Sequence, residues 1–197
     1  VPYGANYQYI SVTNLASNTT GYSTTPFVVT YPSTGVIDFA SDPNLTSGSS
    51  LRAISMRDLD MDGKPDLVAV GNTTTIYVFR NVSTASGVLS YTLLTLTSAY
   101  TDHYGVTIGD MDGDGWPDIV AVAYNSNSGG VSIFRNVTAS SNTLSFSAEQ
   151  IGGTGTGMIG VGVSDFDGDG RPDVVASNYS GNQMLFFRNL SKIGRAS

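Results

Sequence analysis

The sequence predicts an all-β protein: a propeller-like array of four-stranded antiparallel blades, about four units of which two are incomplete, with almost no helix. Three observations carry that expectation. The segments "RDLDMDGKPDLVAV", "GDMDGDGWPDIVAV" and "SDFDGDGRPDVVAS" repeat one pattern at intervals of 52 and 55 residues. Between them, short apolar runs alternate with polar residues and are separated by Gly, Asn and Ser clusters, as half-buried strands require. No window longer than about ten residues combines a 3.6-residue period with helix caps. Four short strands in a unit of about 50 residues is the signature of a propeller blade.

One unit shows the elements in turn. "GVTIGD" alternates and reads as a first strand, and "PDIVAVAY" is a β-rich run that reads as a second. "VSIFRNV" and "LSFSAEQI" alternate again and read as the third and fourth. Phe27, Phe79 and Phe134 each stand 31 residues ahead of Asp58, Asp110 and Asp165, which fixes the phase. Gly35 then corresponds to Gly87, and Phe39 to Tyr91 and Phe146. On this phase, residues 7–41 supply second, third and fourth strands without a first. Residues 51–97 and 103–151 form complete units, and residues 158–190 supply the first three strands. The chain reads as a single repeat domain over 1–197, with units at about 1–50, 51–102, 103–157 and 158–197.

Composition bounds the function. With 197 residues, 40% of them hydrophobic, the chain can bury a real core. No apolar run approaches the roughly 18 residues of a membrane span. Absence of cysteine excludes disulfide scaffolds, thiolate zinc sites and cysteine nucleophiles. A net charge of −7 argues against a nucleic-acid partner, which needs clustered Lys and Arg. A start at Val1, with no charged-then-apolar leader, is expected of a processed product or an excised piece.

The acidic residues are concentrated: 12 of 16 belong to the three repeated clusters. Left empty, each cluster holds carboxylates a few Å apart, at about 1 kcal/mol per pair even in water. Three bound divalent cations would bring the formal charge from −7 to about −1. The pattern is D-x-D-x-D-G-x-P-D, with carboxylates at positions 1, 3, 5 and 9. Calcium takes six to eight hard oxygens in a tolerant geometry, and alternate residues of a tight loop turn their carboxylates inward. The candidate ligands are Asp58, Asp60, Asp62 and Asp66; Asp110, Asp112, Asp114 and Asp118; and Asp165, Asp167, Asp169 and Asp173. Lys64, Trp116 and Arg171, at position 7, would each add a backbone oxygen. An EF-hand needs a bidentate Glu at position 12 and flanking helices, whereas position 12 here is Ala69, Ala121 and Ala176, each in an expected strand. Three calcium loops in β-hairpins are therefore expected.

This pattern, leading into a Val-rich strand and followed by "FRN", resembles the FG-GAP/VCBS repeat family, to which the integrin α-subunit propeller belongs. The resemblance spans roughly residues 27–191, with three motif matches in phase. It implies blades in which the loop between the first two strands binds calcium, which carries over to the twelve aspartates above. It also implies a secreted or cell-surface setting. Family propellers commonly close with seven blades; with at most four, a small ring, a piece of a larger ring and an open assembly all stay open.

Other features have two readings each. "FRN" at Phe79, Phe134 and Phe187 reads structurally as Phe in the blade core, Arg on a neighbouring carboxylate and Asn turning the chain. The same asparagines, Asn81, Asn136 and Asn189, open N-x-[ST] sequons, as do Asn18, Asn44, Asn72 and Asn178. That frequency points to N-glycosylation at exposed turns. Trp116, the single tryptophan, is expected on a loop surface, where it packs a hairpin or stacks on a sugar. No acid/base or nucleophile set surrounds His103, the single histidine, so an enzyme is not expected. The function expected first is a calcium-stabilised extracellular adhesion or structural module, binding other extracellular proteins or glycans or forming a homo-polymer through its unequal ends. The alternative is a glycan-binding propeller lectin.

Overall fold

The computed structural model describes residues 8–14, 19–27, 44–84, 87–124, 129–151 and 157–191. The chain divides into two compact units, Val1–Asp42 and Pro43–Ser197. In the first, strands β1 (Gln8–Asn14) and β2 (Thr19–Phe27) pair as an antiparallel hairpin. The strand expected near residues 35–41 lies outside the described residues.

The second unit holds three antiparallel sheets in which sequence neighbours are also spatial neighbours. The first sheet runs β3 (Leu51–Arg57), β4 (Asp66–Gly71), β5 (Thr75–Asn81) and β6 (Tyr91–Thr97). The second runs β7 (His103–Gly109), β8 (Asp118–Ala123), β9 (Val131–Asn136) and β10 (Phe146–Ile151). The third has β11 (Met158–Ser164), β12 (Asp173–Asn178) and β13 (Gln183–Phe187). The described residues contain strands, turns and bends and no helix, and the two complete units span 51–97 and 103–151 as the sequence phase predicts. Each first strand carries a register irregularity near its start, between Leu51 and Ala53, His103 and Gly105, and Met158 and Gly160. The repeat is thus kept in backbone detail.

The sheets stack, with β7 lying against β3 on one side and β11 on the other. Val68, Val70, Ile76 and Val78 of the first sheet meet Val106, Ile119, Ala121 and Phe134 of the second. Val120, Val122, Val131 and Ile133 from the second sheet's other face meet Met158, Val174 and Ala176 of the third. Covered on both faces, β8 is buried at every residue, which is why "DIVAVA" reads as a continuous apolar run rather than an alternating one. Each fully buried Val or Ile contributes about 1.5–3 kcal/mol. Small residues set the approach of β7 to β11: a Cβ at Gly105 would lie 2.9 Å from the Ile159 carbonyl oxygen, and one at Gly109 2.9 Å from Val163 Cγ1.

His103 is enclosed between these sheets. Its Nδ1 lies 3.1 Å from the Thr73 carbonyl and its Nε2 3.2 Å from Ser98 Oγ, which in turn meets Ser132 Oγ at 2.9 Å. Burial holds its pKa below the usual histidine value.

Candidate metal centre

All three aspartate clusters occupy the turn between the first and second strands of a sheet, so one local fold recurs three times. Position 1 closes the turn on itself. Asp58 accepts the N–H of Asp62 at 3.1 Å and of Gly63 at 2.7 Å. Asp110 accepts from Gly113 and Gly115 at 2.8 and 2.9 Å, and Asp165 from Gly168 and Gly170 at 2.7 and 2.9 Å. Such a tight winding needs left-handed backbone at positions 4 and 6. Glycine supplies it at Gly63, Gly113, Gly115, Gly168 and Gly170, while Met61 adopts it at φ 57°.

Position 9 anchors the loop to the sheet. Asp66 accepts the N–H of Leu59 and of Asn81, each at 2.8 Å. Asp118 does the same with Met111 and Asn136 at 2.7 Å, and Asp173 with Phe166 and Asn189 at 3.1 and 2.8 Å. All three are buried. Burial pushes Asp66 and Asp118 up to about 6, against the opposing pull of those N–H donors.

Position 3 is gripped by the arginine of "FRN". Arg80 Nε donates to Asp60 Oδ2 at 2.6 Å and Arg135 Nε to Asp112 Oδ2 at 2.8 Å, and Arg188 pairs with Asp167. The second sheet adds a contact to the first loop: Asn142 N–H donates to Asp60 Oδ2 at 3.0 Å, and its Oδ1 accepts Arg80 Nη2 at 2.8 Å.

Carboxylate oxygens of Asp58, Asp60 and Asp62 converge within 4.8 Å of one another, as do those of Asp110, Asp112 and Asp118 and those of Asp165, Asp167 and Asp173. Oxygens around a calcium ion at about 2.3–2.6 Å lie at most about 5 Å apart, so each set fits one such ion. The donors are all hard oxygens, which select calcium or magnesium over softer metals. Asp66 in the first loop, and Asp114 and Asp169 in the others, stand outside these tightest sets while keeping their places in the loops.

The structural reading of "FRN" is what the fold displays. Phe79 and Phe134 are buried, the arginines sit on carboxylates, and each asparagine Oδ1 accepts the N–H two residues on, in Ser83, Thr138 and Ser191. Asn81, Asn136 and Asn189, expected to present sugars at exposed turns, do not stand at exposed positions. Asn81 and Asn136 are buried and Asn189 is half-buried. Their Nδ2 atoms, where a glycan would attach, donate to the carbonyls of Pro65, Pro117 and Pro172. Asn136 Nδ2 also donates to the Leu59 carbonyl at 2.8 Å and Asn189 Nδ2 to that of Met111 at 2.7 Å, so each staples its sheet to the preceding aspartate loop. Asn178 is buried as well, Asn44 and Asn72 are exposed, and Asn18 lies outside the described residues.

The FG-GAP-like repeat family model matches residues 58–121 and again residues 110–176, each match running from one aspartate loop into the strand that directly follows the next loop. The chain belongs to the FG-GAP-like repeat family. The two matches overlap across the second loop, so the FG-GAP-like unit is the same repeat that the aspartate spacing marks. Its β-propeller-type character agrees with three successive antiparallel sheets and no helix among the described residues.

Proposed function

We propose that this FG-GAP-like chain is a secreted calcium-binding module that serves as an extracellular adhesion or structural assembly subunit. The observation that carries the reading is the threefold convergence of carboxylate oxygens within 4.8 Å, in loops that the position 9 aspartate closes and ties to the third strand. Calcium at these positions would neutralise charge that the chain cannot otherwise balance, making the metal a folding ligand rather than a reagent. Extracellular calcium, about 1 mM against a Kd of about 10⁻⁴ M for such modules, would stabilise each site by about 1.4 kcal/mol. EDTA is expected to lower the melting temperature by several degrees, with calcium restoring it and magnesium restoring it poorly. Identical melting curves with and without EDTA would refute the calcium role.

One surface supports the assembly part of the proposal. Phe166, Met184 and Phe186 of the third sheet are 50%, 62% and 65% exposed. Their repeat equivalents, Met111, Val131 and Ile133, are 6%, 0% and 6% exposed because the third sheet covers them. Phe166 and Phe186 line an open groove of about 220 Å³ with Asp167, Asp173, Phe187 and Arg188. A further sheet, or a strand added by another copy, would complete the stack and yield a homo-polymer; other extracellular proteins or glycans are the remaining partners. Negative-stain microscopy of the native material in calcium tests this, and uniformly single particles at every concentration would count against assembly.

A further inference from the structure

The three metal loops differ most at position 7, where Lys64, Trp116 and Arg171 stand. In the first loop, Lys64 Nζ lies 3.0 Å from Asp62 Oδ2, an oxygen that Arg80 Nη2 also approaches at 3.5 Å. In the third, Arg171 pairs with Asp169 Oδ2, and Arg188 Nη2 lies 3.5 Å from the same atom. The second loop has no such cation. Asp114 Oδ1 accepts the backbone N–H of Trp116 at 2.8 Å, and no described residue forms an ion pair with Asp114. The "FRN" arginine grips position 3 in all three loops, and in the first and third its Nη2 also comes within 3.5 Å of position 5. Position 7 adds a second positive charge on that position 5 carboxylate in the first and third loops.

We infer that the residue at position 7 sets the order in which the loops take up calcium, and that the second loop, carrying Trp116, fills first. The inference rests on the reading of these loops as calcium sites and ranks them. A unit positive charge about 6 Å from a divalent ion opposes binding by about tenfold even at the dielectric constant of water. Lys64 and Arg171 also occupy an oxygen that the metal would otherwise draw inward, so each must yield its carboxylate before the site closes. Trp116 imposes neither cost, and its half-buried indole lies on the loop it would report.

That placement gives a site-specific readout, because Trp116 is the only tryptophan. Calcium titration of the intact chain, followed by tryptophan emission and by calorimetry, is expected to show one tight site seen by fluorescence and two sites about tenfold weaker. Lys64→Gln and Arg171→Gln should each convert one weak site to a tight one, while Arg171→Lys should leave its site weak. Trp116→Lys should remove the tight class from the calorimetric isotherm, with Trp116→Gln as a neutral control that keeps it. A purely structural role for position 7 would move melting temperatures in EDTA and leave the calcium midpoints unchanged, which would overturn the ranking. Three sites titrating together in the unmodified chain would overturn it too. Absence of any calcium heat or emission change would sink the calcium reading itself.

Discussion

Asn136→Ala tests how firmly one sheet is tied to the aspartate loop of its predecessor. The side chain is 1% exposed. It makes three hydrogen bonds: Nδ2 to the Leu59 carbonyl at 2.8 Å, Nδ2 to the Pro117 carbonyl at 3.1 Å, and Oδ1 from Thr138 N–H at 3.1 Å. Alanine removes all three and strands their partners. At about 1 kcal/mol per bond, with up to 2 kcal/mol more for carbonyls left unpaired in the interior, the cost comes to about 3–5 kcal/mol. Asn81→Ala is the internal control. Asn81 is also buried, but among the described residues its side chain bonds only the Pro65 carbonyl and Ser83 N–H, within its own sheet. Its loss should cost about 2–3 kcal/mol. The difference, about 1–2 kcal/mol, isolates the bond to Leu59. Urea denaturation in saturating calcium measures both, with melting temperature as a check at about 2–4 °C per kcal/mol for a unit of this size. Equal destabilisation by the two substitutions would show that the inter-sheet staple contributes nothing, and the argument built on it would fail.

Acidification should narrow the gap in melting temperature between calcium and EDTA. In the metal-free chain, burial raises Asp66 and Asp118 from 3.8 to about 6. The stability this confers is full below pH 3.8 and is lost as pH rises through about 6, while calcium needs the ionised form. Melting at pH 5 and pH 7 with and without calcium checks both halves, and a gap that widens at pH 5 would contradict them. Met61→Gly should raise stability by about 0.5–1 kcal/mol, because relief of the left-handed backbone at φ 57° exceeds the added freedom of the unfolded chain. Equilibrium unfolding decides it. If the chain carries N-glycans, peptide mapping should find them at the exposed Asn44 and Asn72 and not at Asn136, whose attachment atom is spent on two carbonyls. A folded species glycosylated at Asn136 would refute the assignment of those hydrogen bonds.

Much of the fold was legible because it repeats. Strand boundaries of the two complete units follow from the spacing of Phe79, Phe134 and the aspartates, since one solution to packing and turn geometry was used each time. The loops were legible because alternate aspartates followed by glycine and proline leave the backbone few options. Contacts between sheets were not legible. Nothing local distinguishes an asparagine that donates to Leu59, 77 residues away, from a solvent-facing sequon. Burial decides between them, and burial depends on the neighbouring sheet. The same holds for Asn142, whose contact with Asp60 spans 82 residues. Position 7 was read for its backbone oxygen, and its side chain emerged as a competitor only once Lys64 and Arg171 were seen on their carboxylates.

The asparagine staple also gives synthesis a direction. The Leu59 carbonyl waits for an amide 77 residues later and that of Met111 for one 78 residues later. At about 5–20 residues per second, a nascent loop stays unfinished for about 4–15 s after it is made. During that interval its carboxylates already sit in a short turn that could be filled by metal. A compartment rich in calcium would therefore settle each turn before its successor arrives to latch it, whereas a calcium-poor one would leave a queue of half-closed turns on the emerging chain. Timing, as much as equilibrium stability, would then tie this repeat to the places where calcium is plentiful.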